Sequence, residues 1–356
     1  CGHLRRYKKI VKKTYMIYIT FLIGNGFDIN LGLNTRYADF YKYFLENASV
    51  SNMIKQWIEK EIDLWSDLEL QLGKKVSEIT DKTLDKFYLD KIELDRLLLE
   101  YLEKEQDRFV IDDNRKRLEE EFSRSIKDIT DGFTLDDRDS VNNTKTHFRN
   151  EEYFVQFVSF NYTNALDKIV EDCKKNNVDV GKHTNNSGSL MTDKIGNVFH
   201  VHGTVEGDAL LGVNDTSQIE NEFLQADTTF VTTFVKRNTN EYLGQQRTSK
   251  TKDIIYKSNI ICVFGMSIGD TDKMWWEELV NWLIASNLRK LIIFWKGNES
   301  EFKRPIPTQV ILLKNSIMRR FLDLGKGVHS DAELKAIEKQ IMVIFNSKIF
   351  SFPRVK

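Results

Sequence analysis

The stretch Phe21-Leu22-Ile23-Gly24-Asn25-Gly26-Phe27-Asp28 directly follows the apolar run Met16 to Thr20. An apolar strand that breaks into Gly-x-Gly and runs on into a helix is the corner where a parallel α/β sheet offers backbone N–H groups to a phosphate. Glycine permits the tight turn and the close approach of the ligand. The reading places a nucleotide at the carboxyl end of the first strand. A full dinucleotide fingerprint would need a third glycine where Ile29 stands, and no Gly-Lys-Ser/Thr follows the turn. An ordinary dehydrogenase and a Walker-type NTPase are both disfavoured. A lone Gly-x-Gly also suits a tight turn that holds no ligand.

Working outward, buried-strand signals recur at 153–160, 198–201, 259–264 and 290–295, with helical patterns at 163–175, 239–257 and 272–286. Strands alternating with helices predict an α/β fold with a doubly wound, mostly parallel, Rossmann-like sheet. Residues 52–129 are charged, leucine-rich and free of proline. Leu84, Tyr88 and Ile92, and then Leu94, Leu98 and Leu102, recur at four-residue steps. That spacing predicts a helical insertion packing on itself and on the sheet. The polar stretch 131–150, with Asp136, Asp137, Asp139, Asn142 and Asn143, reads as a linker or mobile loop. The expected division is a basic extension at 1–15, an α/β domain from 16–48 and 151–350, and a helical insertion at 49–150.

Composition narrows the function classes. Across 356 residues the net charge is -1, so the global charge does not select nucleic acid as a partner. Cys1, Cys173 and Cys262 are isolated, with no C-x-x-C pair. A four-cysteine zinc ribbon is excluded, a disulfide framework is disfavoured, and a reducing cytoplasm fits. No apolar run approaches the roughly 20 residues of a membrane span. Arg5, Arg6, Lys8, Lys9, Lys12 and Lys13 form a basic arm. It reads as an extension ahead of a start at Met16 in preference to a nucleic-acid-binding tail.

Three further corners carry polar groups. The segment from Phe157 to Asp167 runs a strand into Asn161 and starts a helix near Thr163. Capping explains one of these two polar residues and less easily both. In Val198-Phe199-His200-Val201-His202-Gly203, two alternate histidines on a strand face one side. The one that ends the strand is placed as a general base, against the plainer reading of a hydrogen-bonded, half-buried pair. The pair also suits a metal, but no carboxylate or cysteine stands at ligand spacing, so no metal is expected. In the run from Ile260 to Asp272, Gly265 and Gly269 leave room, Ser267 offers a hydroxyl, and Asp270 or Asp272 caps a helix. Trp65-Ser66-Asp67-Leu68-Glu69 reads mainly as a helix start, with Ser66 as cap and Glu69 at the third position.

The order Gly24-Asn25-Gly26-Phe27-Asp28, Phe160-Asn161-Tyr162-Thr163, His202-Gly203 and Phe264-Gly265-Met266-Ser267 with Asp270 and Asp272 resembles the AbiH family of phage abortive infection proteins. That family belongs to the broader sirtuin-like, NAD-binding superfamily, and the segment around Trp65 is AbiH-like too. The sirtuin glycine pattern is matched by Gly24, Gly26 and the later Gly32-Leu33, and its Gly-x-Ser by Gly265-Met266-Ser267. Its Asn-x-Asp falls on Asn161-Tyr162-Thr163, with threonine for the aspartate, and its catalytic His-Gly falls on His202-Gly203. This chain has Asn34-Thr35-Arg36-Tyr37 where sirtuins have Pro-Asp-Phe-Arg, and the sirtuin zinc module is absent. The missing module counts against protein deacetylation, which needs an acyl-lysine channel beside it. Sirtuin-like defence proteins without that module are associated with NAD hydrolysis.

The resemblance implies a cytoplasmic antiphage effector that binds NAD and hydrolyses it to nicotinamide and ADP-ribose. Gly24, Asn25, Gly26 and Phe27 would hold the pyrophosphate, Gly265 and Ser267 the adenosine side, and Thr163 and Gly203 would complete the cofactor contacts. Asn161 would orient the nicotinamide ribose or the attacking water, His202 would act as general base, and Asp28 would stabilise the developing positive charge. A phage-derived trigger, a partner defence protein and self-association belong to this picture; a membrane and nucleic acid do not. The alternative is a non-catalytic sensor of NAD or ADP-ribose that switches a partner. A metal-dependent nucleic-acid-processing enzyme ranks last.

Overall fold

The computed structural model describes residues 16–112, 114–296, 306–345 and 347–355. The basic arm lies outside the described residues. The strands are β1 (Met16–Ile23), β2 (Glu152–Ser159), β3 (Lys182–Thr184), β4 (Leu190–Thr192), β5 (Lys194–His200), β6 (Ile260–Phe264), β7 (Lys290–Trp295) and β8 (Ile341–Phe345). β3 and β4 form a separate antiparallel hairpin. The other six make one sheet in the order β5-β2-β1-β6-β7-β8, and every neighbouring pair is parallel.

The continuous apolar runs explain the centre of this sheet. β1, β6 and β7 are covered on both faces, so their residues need no polar alternation. Ile17, Ile19, Phe21 and Ile23 point into one core with Val155, Phe157, Ile260 and Cys262. Helices Arg115–Lys127 and Ala165–Lys175 contribute Phe122, Ile126, Leu166 and Ile169 to that core. Leu22, Val158, Ile261 and Val263 point to the other face, where Trp275, Trp276, Leu279 and Trp282 of helix Lys273–Ile284 cover them. A third core joins helices Tyr37–Asn47, Met53–Glu61, Leu68–Lys75 and Asp81–Asp107 to Val213, Ile219, Leu224, Phe230 and Phe234. The helices up to Leu102 thus pack with the 213–235 segment, whereas Phe109 to Val141 pack against the sheet.

Several elements differ from the sequence reading. The expected linker at 131–150 is largely helix Leu135–His147. Thr134 caps it by accepting from the Asp137 N–H, and only Val141 and Thr144 of the helix are buried. With so thin an apolar stripe its period is hard to detect. The pattern at 239–257 is two helices, Lys236–Tyr242 and Arg247–Lys257. Gly244 (φ 67°) and Gln246 (φ 52°) break them in left-handed conformations. The third strand of the sheet, β5, begins at Lys194 and stops at His200, one residue short of Val201. Both β8 and the hairpin escaped the pattern.

Candidate functional site

β1 and β6 are sequence-distant neighbours whose crossovers leave in opposite directions, so a crevice opens beyond their carboxyl ends. Two glycine corners meet there. A Cβ on Gly24 would stand 2.6 Å from the Gly265 carbonyl oxygen, and one on Gly26 would stand 2.5 Å from the Gly265 Cα. Gly265 has φ 72°, in the left-handed region. The Gly24 N–H donates to Phe264 O at 3.0 Å, Gly26 N–H to Gly265 O at 2.9 Å and Phe27 N–H to Gly24 O at 2.9 Å. The glycines therefore serve first to interlock β1 with β6. Among the described residues the Asn25 and Asp28 N–H groups have no such partner. The Asn25 side chain pins the next loop, donating to Thr35 O at 2.8 Å and accepting from the Thr35 hydroxyl at 2.5 Å.

Beneath this corner Asp28 is buried, at 2% exposure. Its carboxylate accepts from Asn161 Nδ2 at 2.9 Å and from the Thr163 hydroxyl at 2.6 Å. Burial pushes the Asp28 carboxyl up to about 6, against the pull of these two bonds and of His200. With its amide nitrogen held by Asp28, Asn161 is left with a buried Oδ1 that has no hydrogen-bond partner. An unsatisfied buried acceptor is costly, so this cleft-lining one is open to a donor from a ligand or water.

The two histidines part company. His200 ends β5, and its ring nitrogens lie 3.0 Å from Asn161 O and 2.8 Å from Asp167 Oδ2. Those contacts fix the loop that carries Asn161. His202 lies beyond the strand, so the strand-face argument does not extend to it. Its ring is 5% exposed, packs edge-on to Phe160 at 5.9 Å, and makes no hydrogen bond among the described residues. Burial, helped by the charges of Lys236 and Arg247, holds the imidazole well below its usual value. It is a neutral base at physiological pH.

The wall facing the sheet comes from the helical layer. Asp67 caps helix Leu68–Lys75 by accepting from the Leu70 N–H, and its other oxygen accepts from the Thr271 hydroxyl. Ser66 is thus not the cap, and Glu69 does not turn back to close a capping box. Glu69 instead meets Lys236 Nζ at 2.6 Å, both side chains 5% exposed. The Tyr162 hydroxyl lies 3.0 Å from Glu69 Oε1 and 2.9 Å from Leu210 O. Burial outweighs the lysine and raises the Glu69 carboxyl. Burial, with the nearby Glu69 and Asp67 charges, pushes Asp272 up to about 6 despite Lys236 and Asn214.

The family model for bacteriophage abortive infection AbiH matches residues 20–294. The chain belongs to the AbiH family. No curated protein matches it. In this AbiH-family chain one cleft gathers Gly24, Asn25, Asp28, Asn161, Thr163, His202, Gly265 and Ser267. Three expected ligand residues do not line it. Gly26 is turned to Gly265. Phe27 is fully buried among Phe264, Phe350 and Phe352. Gly203 turns at φ 76°, where a Cβ would stand 2.3 Å from Asp208 O. Sequence reasoning missed Tyr37, Lys236 and the cleft roles of Arg36, Asp67, Glu69 and Asp272. The AbiH-like segment around Trp65, the Asp270 and Asp272 of the AbiH-like corner, and the Asn34-Thr35-Arg36-Tyr37 segment hinted at some of them. No cluster of three or more metal-ligating side chains occurs among the described residues, and none of their helices is long and apolar enough to cross a membrane.

Proposed function

We propose that this AbiH-family chain is an abortive-infection effector that binds NAD at the carboxyl edge of its sheet and hydrolyses it. The observation that carries the reading is the buried, unpartnered Asn161 Oδ1 in the same cleft as the neutral His202. Taken in sequence order, the six parallel strands run 3-2-1-4-5-6 across the sheet, the order typical of dinucleotide-binding α/β folds. In the reaction water adds to ribose C1′ as the C1′–N bond breaks. Nicotinamide leaves with that bonding pair, and the water proton passes to His202 Nδ1 or Nε2. Asn161 Oδ1 accepts from the water or a ribose hydroxyl. The sirtuin pattern has an aspartate where Thr163 stands, and here Asp28 supplies the carboxylate through its bonds to Asn161 and Thr163. That charge favours the cationic, oxocarbenium-like transition state. The Asn25 N–H and the Ser267 hydroxyl, neither of them bonded within the described chain, are the donors best placed for phosphate and ribose.

Calorimetry with NAD, paired with chromatography of the products, tests this reading. Binding with release of nicotinamide supports the hydrolase. Binding without product, in protein also exposed to phage lysate, supports the nucleotide sensor. Absence of binding in both conditions removes NAD as the ligand.

A further inference from the structure

A second cavity lies at the other end of the sheet, beside the amino ends of β1 and β2. Helix Leu135–His147 and the β3–β4 hairpin line it, with Ile19, Tyr153 and Val155 as its floor. Its polar groups divide unevenly. Asp179 is taken up by Lys127 at 2.9 Å and by the Gly181 N–H at 3.2 Å. Asp193 Oδ1 meets His183 Nδ1 at 2.7 Å, and the His183 ring stacks on Tyr153 at 3.8 Å. The Lys145 ammonium, the Arg149 guanidinium and the Lys182 ammonium line the same cavity and make no hydrogen bond or ion pair among the described residues. The Thr146 hydroxyl and the Asn142 amide are equally uncommitted. Asp179 and the Asp193 Oδ1 are thus engaged, whereas the Lys145, Arg149 and Lys182 cations have no bonded partner among the described residues. Lys145 feels the Asp193 and Asp128 carboxylates, and Lys182 feels Asp179, only through charge.

We propose that this cavity is a binding site for a phosphate-bearing anion, held by Lys145, Arg149 and Lys182 and separate from the catalytic cleft. Lys145 is half-buried, and burial lowers its amine from the usual lysine value. A phosphate dianion beside it offsets that desolvation and favours the charged form. Arg149 presents a planar fork suited to two phosphate oxygens. The site stands whether or not the cleft hydrolyses NAD, because its ligand contacts none of the cleft residues.

Titration calorimetry of the full chain with inorganic pyrophosphate tests the site. Wild type should bind, and Lys145→Met/Arg149→Met should weaken binding at least tenfold. Arg36→Met, in the lining of the catalytic cleft, should leave the tenfold loss caused by the cavity substitutions unchanged. Circular dichroism checks that each variant is folded. If the double variant does not fold, Lys182→Met, at an exposed position, should still weaken binding at least threefold. No binding to wild type, or binding by the folded cavity variants equal to wild type, would each overturn the proposal.

Discussion

Gly265 sits at φ 72°, and any Cβ there would fall 2.7 Å from the Phe27 nitrogen and 2.8 Å from the Gly26 Cα. Backbone cannot yield as a flexible side chain would. Gly265→Ala is expected to cost roughly 1–3 kcal/mol of unfolding free energy, read from the denaturant midpoint. An unchanged midpoint would mean the interlock is loose. At this scale the sequence was informative about residue types and less so about their duties. The Gly-x-Gly was legible as a corner. Its bonding to Gly265 was not, because that partner is more than 200 residues away in the chain. Asp28 was legible as a charge for the transition state, but not that both of its oxygens face donors from another strand end. Among the histidines, only the placement of Asp167 and Asn161 separates the tethered His200 from the untethered His202.

The elements that read most clearly are the buried parallel strands, whose apolar runs in β1, β6 and β7 have no other simple home. β8 is an equally apolar run, Ile341 to Phe345, but no glycine follows it to mark a corner. The hairpin strands are three residues each and mostly polar, too short for alternation to speak. Helix Leu68–Lys75 shows what capping logic can and cannot recover. The start was legible, but Glu69 is drawn out of the helix cap by Lys236, a partner 167 residues on. This pair ties the helical layer to helix Lys236–Tyr242 across the cleft. Lys236→Met leaves the Glu69 carboxylate buried without its cation and should destabilise the fold by about 3–5 kcal/mol. Glu69→Leu/Lys236→Met should recover much of that loss, because no unpaired charge remains. Chemical denaturation of both variants checks the order; a double variant less stable than the single one would contradict it.

Across the whole molecule, the buried titratable groups give stability a definite pH dependence. Asp28 and Asp272 titrate at about 6 in the folded chain, above the ordinary 3.8. The folded chain therefore keeps protons that the unfolded chain has released. Their contribution is full below the ordinary value and is lost as pH rises through about 6. His202 acts in the opposite sense. Its folded-state value lies well below 6.5, so its contribution is present above that value and is lost as pH falls below it. Asp28→Asn removes one carboxylate from this balance. The stability difference between wild type and variant should move against wild type by about 2–3 kcal/mol from about pH 4 to about pH 6.5. A difference that stays flat would mean Asp28 titrates like an exposed carboxylate.

The same buried groups define the proposed chemistry: a neutral base, a buried carboxylate and an unfilled acceptor around one cleft. Purified protein incubated with NAD, with and without phage lysate, and followed by chromatography for nicotinamide and ADP-ribose, tests this most directly. The wild type is expected to yield both products in equal amounts in at least one condition. His202→Ala, folded by circular dichroism, is expected to yield neither. Equal product from wild type and His202→Ala, or intact NAD in every wild-type incubation, would contradict the account.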